Sequence, residues 1–121
     1  MIIAPKGSKV VLVDWLNTEI LIITTQAQHE EFLKLNEDAP EHFRSAWKEN
    51  NGYACHVEVS GEPSFIVLLR SRKVLVHECV HVAEMVMESK GIRFSARNMF
   101  EVRAYMIDYV VRLVKKSLQR G

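Results

Sequence analysis

His77, Glu78 and His81 are the residues of this chain best suited to do chemistry, because they form the string H-E-x-x-H over positions 77–81. On an α-helix, residues four apart share a face, so both imidazoles can approach a single metal ion. The glutamate between them can then take a proton from a water bound to that ion. The string lies in an apolar stretch, where an ionised group without a partner costs several kcal/mol. A divalent metal supplies a partner for all three side chains. The competing reading is that His77 and His81 are ordinary core or surface histidines at a chance spacing. The helical context favours the metal.

Catalytic zinc usually takes three protein ligands and one water. Glu84 lies on the same helical stripe, but seven residues from His77 is about 10 Å along the axis, too far for one ion. Glu101 is the better candidate. It follows His81 by twenty positions (101 − 81), past Gly91 and at the start of the next apolar stretch. An antiparallel return of the chain could bring it beside the motif. Asn98 to Glu101 (NMFE) also has the spacing of a capping box, which by itself would account for a glutamate there. Tyr105 and Asp108 share its helical face. His56 is the main rival as a ligand, since a strand histidine could also reach the site. His29 and His42 fall on expected surface helices and are weaker.

The elements that must position these groups can be read from apolar spacing. Residues 9–15 (KVVLVDW) and 19–24 (EILIIT) read as two strands, possible partners in a hairpin. Residues 26–36 read as a short helix with Thr25 as its cap and Ala27, Phe32 and Leu35 as its apolar positions. Pro40 closes that segment and opens a helix over 41–49, where Phe43, Ala46 and Trp47 share one face. After Asn50-Asn51-Gly52, residues 53–59 alternate. Tyr53, Cys55, Val57 and Val59 point one way and Ala54, His56 and Glu58 the other, as in a half-buried strand.

Residues 64–69 (SFIVLL) are continuously apolar and read as a more central strand, antiparallel to 53–59 across a turn at 60–63. Ser71 can cap a helix that runs to about Lys90, with Gly91 as its stop. Leu75, Cys79, Val82 and Val86 form one apolar row on it, and Val76, Val80, Ala83 and Met87 a second. A last helix runs from near Asn98 to about Leu118. The expected fold is α+β: a small, mostly antiparallel sheet packed on the H-E-x-x-H helix and a following C-terminal helix.

Length and composition limit what else the chain can be. Its 121 residues form one domain, residues 1–121, with 48% apolar and 26% charged residues, ordinary globular proportions. A net charge of +1 gives no footing for nucleic acid. Arg70, Arg72 and Lys73, like the tail residues Lys115, Lys116 and Arg120, read as solvated faces. Two cysteines, Cys55 and Cys79, make no disulfide framework, and Cys79 reads as a small core residue. A reducing, cytoplasmic setting follows. Residues 1–5 lack a basic secretory n-region, and the apolar stretch 10–23 is broken by Asp14, Asn17 and Glu19, so no membrane span is expected.

The string VLVHECVHVAEMVMESKGIRFS, followed by EVRAYMIDYV, resembles the small H-E-x-x-H metallopeptidases of tailed phages and prophages. The likeness covers roughly residues 53–112 and leaves residues 1–50 aside. It implies a minimal zincin: a small sheet, an active-site helix, and a following helix with an E-x-x-A-Y motif, here Glu101 to Tyr105. By that resemblance His77 and His81 are zinc ligands, Glu78 is the general base and Glu101 the third ligand, in the gluzincin manner. Many gluzincins carry an acidic residue four after the third ligand, where this chain has Tyr105. That tyrosine would bond a ligand, stabilise an oxyanion or simply pack. The implied activity is zinc-dependent hydrolysis of a peptide or protein in the host cytoplasm. The readings beside it are a metal-stabilised, non-catalytic protein-binding module and a zinc amidase acting on cell-wall peptides. Oligomeric state is left open.

Overall fold

Two runs of the chain are apolar at every position, and both become inner strands. Ile20, Leu21, Ile22 and Ile23 have no exposed surface, and Phe65 to Leu69 are nearly as buried. Strands with helices on both faces need this composition, whereas a strand with one wet face alternates. The computed structural model describes residues 4–59, 62–92 and 99–119. Its strands are β1 (Lys9–Val13), β2 (Thr18–Ile23), β3 (Gly52–Val59) and β4 (Glu62–Leu69). Its helices are α1 (Gln26–Leu35), α2 (Glu41–Arg44), α3 (Ala46–Glu49), α4 (Leu75–Ser89) and α5 (Met99–Gln119).

The strands form one sheet in the order β1-β2-β4-β3. β1 and β2 are antiparallel, as are β3 and β4, with Tyr53 opposite Leu68 and His56 opposite Phe65. The two pairs join through a parallel contact, Ile20 against Phe65 to Ile23 against Leu68. The sheet is therefore mixed: two of its three pairings are antiparallel, as expected, and the β2–β4 contact is parallel. Parallel neighbours need a long crossover, which α1–α3 and β3 supply. The expected strand over 9–15 stops at Val13, because residues 14–16 turn into a 3-10 helix closed by Asn17 at φ 47°.

Sheet alternation divides the core in two. Val11, Val13, Ile20, Ile22, Phe65, Val67 and Leu69 pack with α4 and α5. Leu21, Ile23, Cys55, Val57, Ile66 and Leu68 pack with Phe32, Phe43 and Ala46 of α1–α3. α1 starts where expected, with the Thr25 hydroxyl accepting from the Gln28 N–H at 3.1 Å. Its buried face differs from the expected one: Ala27 and Leu35 are exposed, while His29 and Phe32 are buried. His29 is thus no surface residue. Its Nε2 lies 3.0 Å from the Phe43 carbonyl and its ring stacks on Trp47, which satisfies a polar ring inside an aromatic cluster. The 41–49 helix is two short turns that change over at Ser45, with Phe43, Ala46 and Trp47 on the inner side.

α4 is fixed at both ends. Ser71 accepts from the Lys73 N–H at 3.3 Å and caps a 3-10 turn over Arg72–Val74, from which α4 continues. At the far end Gly91 takes φ 75°. The Gly91 N–H bonds the Glu88 carbonyl and the Ile92 N–H the Met87 carbonyl, both at 3.0 Å. That pair of bonds around a left-handed residue is a Schellman motif, in which glycine avoids the Cβ penalty. The expected capping residue of the last helix, Asn98, lies outside the described residues.

Candidate metal centre

α4 presents its residues to three surroundings. Leu75, Cys79, Val82, Ala83, Val86 and Met87 are buried against the sheet and α5. Burying side chains of this kind stabilises by about 1.5–3 kcal/mol for each large one, so the helix is held without help from its polar residues. His77 and His81 lie on the exposed side. Glu78, between the two faces, is 7% exposed.

The two imidazoles meet. His77 Nε2 and His81 Nε2 are 3.2 Å apart, with the rings edge to face at 78°. Two nitrogens bound to zinc at 2.0–2.1 Å in a tetrahedral arrangement lie about 3.3 Å apart. The pair therefore fits two ligand positions of such an ion. Without an ion, one ring must donate and the other accept a single shared proton.

Glu78 lies against the beginning of β3. A Cβ placed on Gly52 would come within 2.8 Å of Glu78 Cγ, 2.9 Å of Glu78 Oε2 and 2.4 Å of Val74 Cγ2. Only glycine lets the strand pass this close to the carboxylate. Burial pushes the carboxyl of Glu78 above the usual range, while the nearby charges of His77 and His81 pull it back down. A carboxylate raised in this way is a better proton acceptor near neutral pH than a solvated one. Cys79, one residue on, has no exposed surface, and its thiol is pushed up to about 12, first by burial and then by Glu78, against the opposing charge of Lys115. It is a core residue and no nucleophile.

α5 runs back along α4. Arg103 reaches Glu84, its Nε donating to Oε1 at 3.0 Å, while Lys115, further along α5, acts on Cys79, further back on α4. Glu84 is thus engaged by an arginine. Arg103 lies on the same side of α5 as the buried Met106, Val110 and Val114, so it marks the face turned to α4. At 100° per residue, Glu101 and Tyr105, two positions either side of it, lie about 160° around the helix from the face that meets α4. Both are exposed, Tyr105 at 71%. They line a cavity of about 370 Å³ with Phe100, Ala104 and Asp108, and neither histidine of the motif is part of its wall. Among the described residues no group of three His, Cys, Asp or Glu side chains is placed to hold a metal ion. The structure brings His77, His81 and Glu78 together, and it does not gather Glu101 or Tyr105 with them.

The remaining histidines are engaged elsewhere. His56 stacks on Phe65 with ring centres 4.3 Å apart. His42 Nδ1 lies 2.7 Å from the Tyr53 hydroxyl, and His29 is in the α1–α3 core. Sequence reasoning missed Gly52 and Arg103. Asn50-Asn51-Gly52 reads in sequence only as the lead into a strand, yet its glycine accommodates Glu78. Opposite charges on the two helices were the available sign of the Glu84–Arg103 bridge. Compared with known protein families, curated proteins and solved structures, the chain matches none.

Proposed function

We propose that this chain is a zinc-dependent peptidase of the minimal zincin kind, with His77 and His81 holding the ion and Glu78 as general base. The observation that carries this reading is the approach of the two Nε2 atoms to 3.2 Å on the helix face beside Glu78. A zinc ion there would acidify a water to a pKa of about 7 and polarise the scissile carbonyl. Glu78 accepts the proton of the attacking water on its carboxylate and passes it to the leaving amine. Its burial against Gly52 limits bulk water on one side and fixes the carboxylate relative to the imidazoles.

β3 is the end strand of the sheet on the side of Glu78, and this position supports an extended peptide as substrate, paired along the strand edge. The unpaired, buried Cys55 and Cys79 support action in a reducing cytoplasm. Glu101 and Tyr105, expected at the metal, face away from the pair. The proposal therefore rests on His77, His81 and Glu78.

The test compares variants on a quenched-fluorescence peptide library. Glu78→Gln should retain zinc and lose hydrolysis by about 10²–10⁴-fold, the usual worth of a general base. His77→Ala should lose both. Full activity in Glu78→Gln would overturn the assignment.

A further inference from the structure

The sheet has a second free edge, at the opposite end from Glu78, and it is built differently. β1 pairs with β2 along all five residues, from Lys9 against Ile22 to Val13 against Thr18, and among the described residues has no second neighbour in the sheet order. Val11 and Val13 point into the core, whereas Val10 and Leu12 are 42% and 44% exposed. Among the described residues these two side chains belong to neither buried cluster. The pairing is unbroken and the strand contains no proline or glycine, the usual devices that blunt an edge, apart from a lysine at its first position.

α5 flanks this edge. Lys9, Val10, Leu12, Leu113, Lys116 and Ser117 wall a groove of about 360 Å³. Among the described residues that wall it, both charges are positive and none is a carboxylate. Glu19, opposite Leu12 on β2, is outside it. A strand laid in this groove would take its backbone hydrogen bonds from β1. One face would meet Val10 and Leu12, and the other would meet Leu113 and the two ammonium groups.

We propose that the β1 edge is a docking site for an extended, acidic segment of a partner protein, bound as a fifth strand. Main-chain bonds to an open edge give affinity and alternate side-chain pockets give selectivity. Here the alternation asks for apolar residues on one face and carboxylates on the other. Two lysines in the groove disfavour a second copy of the chain, whose own β1 would bring further lysine and no carboxylate. The site is separate from the His77–His81 pair and stands whether or not that pair holds zinc.

The probe is a soluble decapeptide alternating valine and glutamate, with a valine–lysine counterpart, titrated into isotope-labelled protein and followed by amide shifts and hydrogen exchange. The acidic peptide should bind, shift resonances of β1 and the second half of α5, and slow exchange of β1 amides. Lys9→Glu combined with Lys116→Glu should weaken it at least tenfold with an unchanged melting curve. Raised salt should weaken it as well. Equal binding of both peptides, no binding, or shifts confined to β3 would overturn the proposal. So would concentration-dependent dimerisation abolished by Leu12→Lys, which would assign the edge to a second copy.

Discussion

At the scale of single residues, Glu78 and Gly52 form a unit. The carboxylate is held where burial raises its proton affinity and two imidazoles moderate that rise, and it fits only because position 52 has no side chain. Gly52→Ala should force Glu78 and Val74 to shift, costing about 1–3 kcal/mol as an overpacked contact does. It should also lower peptidase turnover, and a denaturant melt with an assay on the same sample checks both. The raised carboxyl has a consequence for stability in chelator-treated protein. A group whose folded pKa lies above its unfolded value favours the fold at low pH, and that contribution is lost as pH rises from the unfolded value, about 4.3, through the folded one. Glu78→Gln should therefore gain in melting temperature over the parent at pH 7, and the gain should disappear below about pH 4. A gain that grew on acidification would contradict the burial of Glu78.

At the scale of elements, α4 is specified by its ends as much as by its apolar rows. Gly91 in the left-handed region has open space around it, so Gly91→Ala tests conformation alone. It should destabilise by about 1 kcal/mol, readable as a lower urea midpoint at unchanged slope. Much of this element was legible beforehand: the row Leu75, Cys79, Val82 and Val86, Gly91 and the histidine spacing depend on neighbours within a few residues, and helix geometry converts that spacing directly into a shared face. Of the second expected row Ala83 and Met87 are buried, while Val76 is exposed. The partner of the helix was less so. Glu101 and Tyr105 were expected beside the motif because they follow it at a suitable distance along the chain. The inward face of α5 is the stripe of Met106, Val110 and Val114, with Arg103 beside it bonded to Glu84, nineteen residues away. Glu101 and Tyr105 lie off that stripe, and chain spacing after the motif does not encode helix rotation. The parallel joining of β2 to β4 escaped for the same reason: residues 64–69 read as a central strand and 19–24 only as a partner of 9–15, and apolar runs do not say which strand each will meet.

For the molecule as a whole, a four-stranded mixed sheet separates two cores, and the functional groups follow that division. Cys55 packs with α1–α3 and Cys79 with α4 and α5, so the sheet itself keeps the two thiols from pairing. Both are pushed up to about 12 by burial. Native protein should react with a thiol reagent at least about 100-fold more slowly than unfolded protein, because thiolate and access are both withheld. Rapid modification of either cysteine at neutral pH would show a looser core. The two ends of the sheet carry different surfaces: β3 beside Glu78, and β1 with its apolar and basic groove. Among the described residues no helix is long and apolar enough to cross a membrane.

The central claim is that His77 and His81 form a metal site. Elemental analysis of protein purified without chelators tests it most directly, with His77→Ala as the companion sample. The account predicts stoichiometric zinc in the parent chain and none in the variant. A parent chain free of zinc, or a His77→Ala chain that holds it equally well, would contradict the account.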